Sequence, residues 1–433
     1  MTYLFVGAGQ AGSAIVDAIF EYTDESILGL FESTDISTLG RPLVFNSTMR
    51  DLQNLSNVPP EDQYGIAQQH GLVEGTEPGF EEMVTGGFGR RPTDADEVMS
   101  EHAAELQTVF RRKFGSRTRR ATATDEGADK EADEGRPPGQ SESIQFAFLF
   151  LGLGGGTGCG IAPHIARQIK EFTDEQTKIV AVTILPNTRS QDGADGGESS
   201  SGRQAWNARY GLERLESEVD GIILVDNQRI SYLDSAGGEF SQYNEYVAAA
   251  IHDLVAGPVL NSVDASEIDG VDTPDIDVRD IVTSLSFGMT GNDSRAGYGA
   301  IGRSVTMTKS LGGYLVPSLG KRTIDSAALL RLSTTKQTLA KISVTDAQKA
   351  ISLIRAPSEN LGGGDYSLKT GTVKQSLEQS CQQGEVNIGV ALSDRNLASV
   401  TTLLTYRRED IQRLAEIEAA AEAYERNTEE LVA

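Results

Sequence analysis

The chain has 433 residues, and its 63 acidic side chains against 38 basic ones give a formal net charge of −25. So acidic a surface repels nucleic acid and anionic membrane, which argues against a nucleic-acid binder, and it resembles the solvated surfaces of proteins that stay soluble in high salt. The 38% hydrophobic content is enough to bury a sizeable core and excludes a wholly disordered chain.

No stretch reaches the roughly 18–20 unbroken apolar residues of a membrane span. The opening residues, MTYLFVGAGQAG, have neither the basic region nor the cleavage site of a leader. Two cysteines, Cys159 and Cys381, are too few for a disulfide framework, so a cytoplasmic setting is expected.

Tyr3 to Val6 reads as a short buried strand, Gly7-Ala-Gly-Gln-Ala-Gly12 as a tight turn, and Ala14, Ile15, Ala18 and Ile19 as one helical face. The turn also matches the dinucleotide fingerprint, with Glu32 and Asp35 as acids about 20 residues on, so a nicotinamide or flavin site stays open here. Pro42 to Phe45 is a second strand ending at the polar Asn46-Ser-Thr48. Residues 61–82 carry little pattern. A glycine turn at Gly86-Gly-Phe-Gly89 then leads into a helix expected from Asp94 to Arg112. Residues 113–143 lose their apolar content and read as a disordered polar insertion, although their basic start could dock a partner.

Ile144 to Leu151 is strongly apolar and runs into Gly152-Leu-Gly-Gly-Gly-Thr-Gly-Cys-Gly160, after which Ile161, Ile165, Ala166 and Ile169 recur at helical spacing. Strand, glycine turn and helix together form a phosphate cradle: residues without side chains let backbone N–H groups approach an anion, and the helix N-terminus adds its positive dipole end. Lys178 to Leu185 and Gly221 to Val225 are further strands, separated by a helix from about Gln204 to Glu218. Strands alternating with helices argue for a parallel, doubly wound sheet.

From Phe240 a long helical pattern follows, with Gly257-Pro258 expected to kink or break it. Beyond Ser286 strand-like runs at Val305–Met307, Ala350–Arg355, Val386–Ala391 and Val400–Leu404 alternate with helical segments, which suggests a separate α+β domain. A charged helix from Glu409 to Glu430 ends the pattern. The four histidines, His70, His102, His164 and His252, have no triad or metal-ligand setting, and His164 is expected at the surface.

The run Gly154-Gly-Gly-Thr-Gly-Cys-Gly160 resembles the phosphate-loop signature of the tubulin/FtsZ superfamily, and Gly9-Gln-Ala-Gly12 its first phosphate loop. Asn207-Ala-Arg-Tyr-Gly-Leu, Val225-Asp-Asn227 and the acidic composition make the resemblance nearest the archaeal CetZ-type proteins. It covers about residues 1–310 well and the rest loosely. It implies an α/β fold: a Rossmann-like GTPase domain with a parallel sheet over residues 1–242, a central helix and catalytic loop over 243–285, an α+β domain over 286–408, and a C-terminal helix and tail over 409–433.

The same resemblance implies GTP/GDP and Mg²⁺ as cofactors, head-to-tail self-association, and adaptors docking through the 113–143 loop or the C-terminal tail. Phosphate contacts would fall to Gly9, Gln10, Ala11, Gly12, Asn46, Thr48, Gly87, Gly89, Gly154, Gly155, Gly156, Thr157 and Gly158. Asn227, Phe240 and Asn244 would recognise the base, Phe240 by stacking and Asn244 by hydrogen bonding. Cys159 stands where the family has Ser or Thr, which keeps a backbone donor and loses a hydroxyl. Catalysis would need acids that reach the next subunit's nucleotide: Asp277 and Asp280, or else Asp264 and Glu267. The expected function is assembly-coupled GTP hydrolysis in cell shape or division. A non-hydrolysing scaffold of the same fold and a Rossmann oxidoreductase are the alternatives.

Overall fold

A computed structural model describes residues 2–21, 36–115, 144–188, 197–230, 240–260, 276–286, 296–309, 322–361, 366–381, 384–393 and 396–432. The elements run β1 (Thr2–Ala8), α1 (Gly9–Glu21), β2 (Gly40–Asn46), α2 (Met49–Gln53), β3 (Gln63–Ala67), β4 (Gly71–Glu74), α3 (Phe80–Met83), α4 (Pro92–Glu101) and α5 (Ala103–Phe114). After these come β5 (Ile144–Gly152), α6 (Thr157–Phe172), β6 (Lys178–Leu185), α7 (Gly197–Leu215), β7 (Gly221–Asp226), α8 (Asn227–Ile230), α9 (Phe240–Leu260) and α10 (Val278–Leu285). The chain continues through β8 (Gly297–Met307), α11 (Ser326–Thr335), β9 (Lys349–Ala356), α12 (Thr370–Ser380), β10 (Glu385–Leu392), β11 (Leu397–Tyr406) and α13 (Gln412–Val432).

The described strands form one 11-stranded sheet in the order β10-β9-β11-β8-β7-β6-β5-β1-β2-β3-β4. From β8 to β3 every neighbouring pair is parallel. The central strands are buried along nearly their whole length, which is why they read as unbroken apolar runs. Phe5 of β1 and Phe148 of β5 lie opposite each other, their rings stacked 5.6 Å apart. Helices cover both faces, as a parallel sheet requires, and two apolar clusters fill the layers between.

Because β2 lies on one side of β1 and β5 on the other, the chain reverses its winding direction at the β1–β5 pair. The carboxyl ends of strands flanking such a switch point diverge and leave a crevice. Beyond β7 the sheet continues through a seam of three residue pairs, from Gly221↔Gly297 to Ile223↔Gly299. Leu285, the last residue of α10, sits on that seam: a methyl group added to Gly221 or Gly299 would come within 2.6 or 2.9 Å of its side chain.

Four expectations change. The helix over 94–112 is two helices, because His102 leaves helical geometry; its ring bonds Glu105, which also accepts from the Leu72 amide at 2.7 Å and so fastens β4. Residues 61–82 hold the β3–β4 hairpin, whose strands are too short to show a period. The Gly257-Pro258 pair does not end α9, which runs on to Leu260; the proline removes a single ladder donor, two residues before the helix ends. His164 is buried at 6% exposure, with Nε2 2.6 Å from Asp96 Oδ1.

Residue 113 does not open a disordered stretch, against the expectation from sequence. Lys113 and Phe114 are helical, and Lys113 donates to Asp62 at 2.7 Å while Arg112 donates to the Tyr64 hydroxyl at 3.0 Å. Residues 116–143 lie outside the described residues.

Asp253 of α9 joins the central helix to the later strands. It is fully buried and accepts from Arg303 of β8 at 2.7 Å, Arg355 of β9 at 2.6 Å and Thr401 of β11 at 2.8 Å. Burial acts to raise its carboxyl pKa, but the two guanidiniums outweigh burial and hold it well below the usual carboxylate range. Its stabilising contribution is therefore present above the unfolded value, about 3.9, and is lost as pH falls below it. Replacing Asp253 by Asn should cost about 3–5 kcal/mol, because two buried cations lose their counter-charge. Urea titrations at neutral and acid pH check this: the variant should be weaker at pH 7 and show a shallower acid-side decline.

Candidate functional site

A cavity of about 820 Å³ opens where the carboxyl ends of β1, β2, β5, β6 and β7 meet. It is the crevice that the switch point creates. Its floor is built from two helix N-termini, α1 starting at Gly9 and α6 at Thr157, neither with an acidic residue in its first turn. Both therefore present unpaired N–H groups and positive dipole ends to the same space. In a chain of net charge −25, the charged side chains among the described lining residues are one Asp51 and one Arg90. The site is arranged for an anion against the protein's overall field.

The two turns touch. Gly9 has φ +72°, and a Cβ there would lie 2.9 Å from the Gly158 amide nitrogen, so a side chain would both strain the turn and push the two loops apart. Gly12 does different work. It does not line the cavity but lies one turn inside α1, where a Cβ would fall 2.0 Å from the Phe150 carbonyl oxygen. Its missing side chain lets α1 lie directly on β5.

Polar side chains hold the loops in register. Ser47 Oγ and Thr157 Oγ1 are 2.8 Å apart, which links the end of β2 to the α6 turn. Asn207 of α7 donates to the Arg90 carbonyl at 3.0 Å and to the Gly154 carbonyl at 3.2 Å, binding the 86–92 loop to the glycine run. Asn46 Nδ2 donates to Asp51 at 3.3 Å while its own Oδ1 accepts from the Ser47 amide at 2.8 Å.

Of the residues singled out from sequence, Gly9, Gln10, Ala11, Asn46, Thr48, Gly87, Gly89, Gly154, Gly155, Gly156, Thr157, Gly158 and Asn227 line this cavity. Asn244 is half-buried on α9 and is not among the lining residues, and the side chain of Phe240 lies outside the described residues. Cys159 points away from the cavity: its thiol donates to the Leu153 carbonyl at 3.1 Å, and complete burial pushes its pKa up. A hydroxyl at that position would face the core too, so the departure from Ser or Thr removes no contact with a ligand.

Asp277 and Asp280 are at the opposite end of the sheet. Asp277 lies near Tyr3 at the start of β1, where burial first and then the Asp277 charge raise the tyrosine's pKa. Their helix α10 borders a second cavity, of about 460 Å³, lined by Ile144 and Lys178 at the starts of β5 and β6. Both acids cap that helix: Asp277 Oδ1 accepts from the Arg279 and Asp280 amides at 2.7 and 3.1 Å, and Asp280 Oδ2 from the Asp277 amide at 2.8 Å. Asp264 and Glu267 lie outside the described residues, as do Glu32 and Asp35.

The structure adds Asp51, Asn187 and Gln204 to the lining and Ser47 and Asn207 behind it. Asp51 and Asn187 had a readable signal, being polar residues just past the ends of parallel strands. Asn207 stood in a run that carries the family resemblance but had no role assigned to it, and Gln204 had no signal, since nothing in a helix's spacing says that it crosses a loop far away in sequence.

A family model described as Tubulin/FtsZ family, GTPase domain, matches residues 124–233. Three solved structures illustrate the likeness in fold. A CetZ from Methanosaeta thermophila has a TM-score of 0.65 at 18% identity, covering 99% of this chain and 92% of that one. CetZ2 from Haloferax volcanii, a GTPγS-bound protofilament, has a TM-score of 0.64 at 19% identity over 99% and 100% of the two chains. A GTPγS-form protofilament of TubZ from Bacillus thuringiensis has a TM-score of 0.61 at 16% identity over 100% and 94%. No curated protein matches the chain by sequence. The fold is thus of the tubulin/FtsZ type.

The close approach at the switch point can be measured without a ligand. Gly12→Ala should destabilise the protein by about 1–3 kcal/mol, the usual range for overpacking. Gly155→Ala, where nothing lies within 4 Å of the added carbon, should stay within about 0.5 kcal/mol in the same denaturant titration.

Proposed function

We propose that this chain, which has the tubulin/FtsZ fold, binds GTP in the cavity, stacks head to tail into protofilaments, and hydrolyses the nucleotide between subunits. The observation that carries this reading is the separation of the two halves of the chemistry. The cavity is at the carboxyl end of β1, and Asp277 is beside Tyr3 at its other end. From Tyr3 to Ala8 the strand rises by five steps of about 3.3 Å, so within one chain the acids and the cavity are set about 16 Å apart along the strand. Stacking copies in one direction brings the acid end of one against the cavity of the next.

In this reading the phosphates lie on the N–H groups of Gly9 to Ala11 and Gly155 to Gly158, and Asn227 meets the base. Mg²⁺ commonly binds through one or two carboxylates together with phosphate oxygens. Asp51, supported by Asn46, fits that mode; among the described residues no cluster of three or more acidic, histidine or cysteine side chains forms a protein cage. The ion would neutralise charge on the phosphates. Asp280, whose Oδ1 is not used in the cap, would take a proton from the attacking water and hold it in line with the γ-phosphate. Service in cell shape or division rests on the resemblance to the CetZ-type proteins.

The capping box favours a second reading, a nucleotide-dependent scaffold that does not hydrolyse, because it gives both acids a structural task without catalysis. Asp280→Asn separates the two. The amide still accepts from the Asp277 backbone, so the helix stays capped while the base is removed. Under the leading reading the variant pellets with GTP like the parent, but hydrolysis falls by about 100-fold or more. No phosphate release above background by parent or variant would leave only the scaffold, and equal release above background would remove Asp280 from the chemistry.

A further inference from the structure

The C-terminal helix α13 reaches into the wall of the cavity through one side chain. Arg413, near its start, is 1% exposed and among the largest fully buried side chains. Its guanidinium donates to the Pro186 carbonyl at 2.6 Å, to Thr188 Oγ1 at 2.8 Å and to Asp226 Oδ1 at 3.3 Å. These partners belong to the segment that follows β6 and to the last residue of β7. Pro186 and Asn187 line the cavity on the first, and Asn227, next to Asp226, lines it beside the second. Gln228 closes the ring: its amide donates to Asp226 Oδ1 at 3.0 Å, and its side chain to Thr188 at 3.2 Å.

We propose that Arg413 is a positioning residue for nucleotide recognition, holding Asn227 and the 186–188 segment at a fixed separation so that the site accepts a guanine base. A planar guanidinium suits the task, because its donors leave in fixed directions and reach three acceptors on two segments at once. Burying this cation beside a carboxylate brings little net stability, since the desolvation of both groups offsets their attraction. The inference rests on the nucleotide reading above and extends it to a helix between 187 and 227 residues further along the chain than the groups it holds.

The test uses the full chain and a fluorescent GDP analogue displaced by unlabelled GDP or ADP. Arg413→Lys keeps the charge against Asp226 but loses the fork, and it should weaken GDP binding about tenfold while narrowing the preference for GDP over ADP. Arg413→Met leaves Asp226 buried without its counter-charge and is expected to unfold more easily. The double variant Asp226→Asn/Arg413→Met removes both charges, so it should regain thermal stability without regaining the base preference. A merely structural arginine predicts the reverse, with the preference unchanged wherever the protein is folded. If Arg413→Lys and the double variant both bind GDP within about twofold of the parent with the same GDP-to-ADP ratio, the positioning role is overturned. If the parent binds no guanine nucleotide, the nucleotide reading fails and this proposal with it.

Discussion

Everything in this molecule depends on how closely two glycine turns approach each other between β1 and β5. Gly12 lets α1 lie on the Phe150 carbonyl, and Gly9 lets its turn meet Gly158. The approach sets two helix N-termini side by side, and their partial positive charges make an anion site in a strongly acidic protein. The sheet order supplies the space and the glycines supply the proximity. The polar links from Ser47, Thr157 and Asn207 then fix loops whose backbones have no side chains of their own to anchor them.

That arrangement has an internal logic of burial. Loops rich in glycine lose much conformational entropy on ordering and bury little apolar area in return. The fold offsets this by setting them on strands that are almost entirely buried and by borrowing side chains from distant helices. Asn207 comes from α7 and Arg413 from α13, so the walls of the cavity are held by side chains that do not themselves line it. The central helix is tied to the later strands in the same way, through the buried Asp253 and its two arginines.

The parallel core was legible in sequence because strands buried on both faces are written as continuous apolar runs, and Ile144–Leu151 could hardly be read otherwise. The floor of the site was legible for a related reason: glycine runs between a strand and a helix have few uses. What stayed hidden was non-local. The β3–β4 hairpin has too few residues to show a period, and His102 breaks a helix whose apolar spacing continues across it. His164 looked like a surface residue, yet it is buried against Asp96, which also accepts from the Tyr210 hydroxyl at 2.8 Å. Arg413 sits in a helix that reads as charged with one apolar stripe, and a buried arginine beside that stripe has no local signal of its own.

The seam beside Leu285 has a mechanical meaning. Three residue pairs join β7 to β8, whereas the neighbouring β11–β8 pairing runs to ten. Helix α10 has Asp277 and Asp280 at one end and Leu285 at the other, and its eight residues make a rod about 12 Å long. A push delivered at the acids would therefore pass along the rod to a seam of three residue pairs, as narrow as the β2–β3 pairing. The helix thus links the acids on the outer face to a narrow part of the sheet in the core.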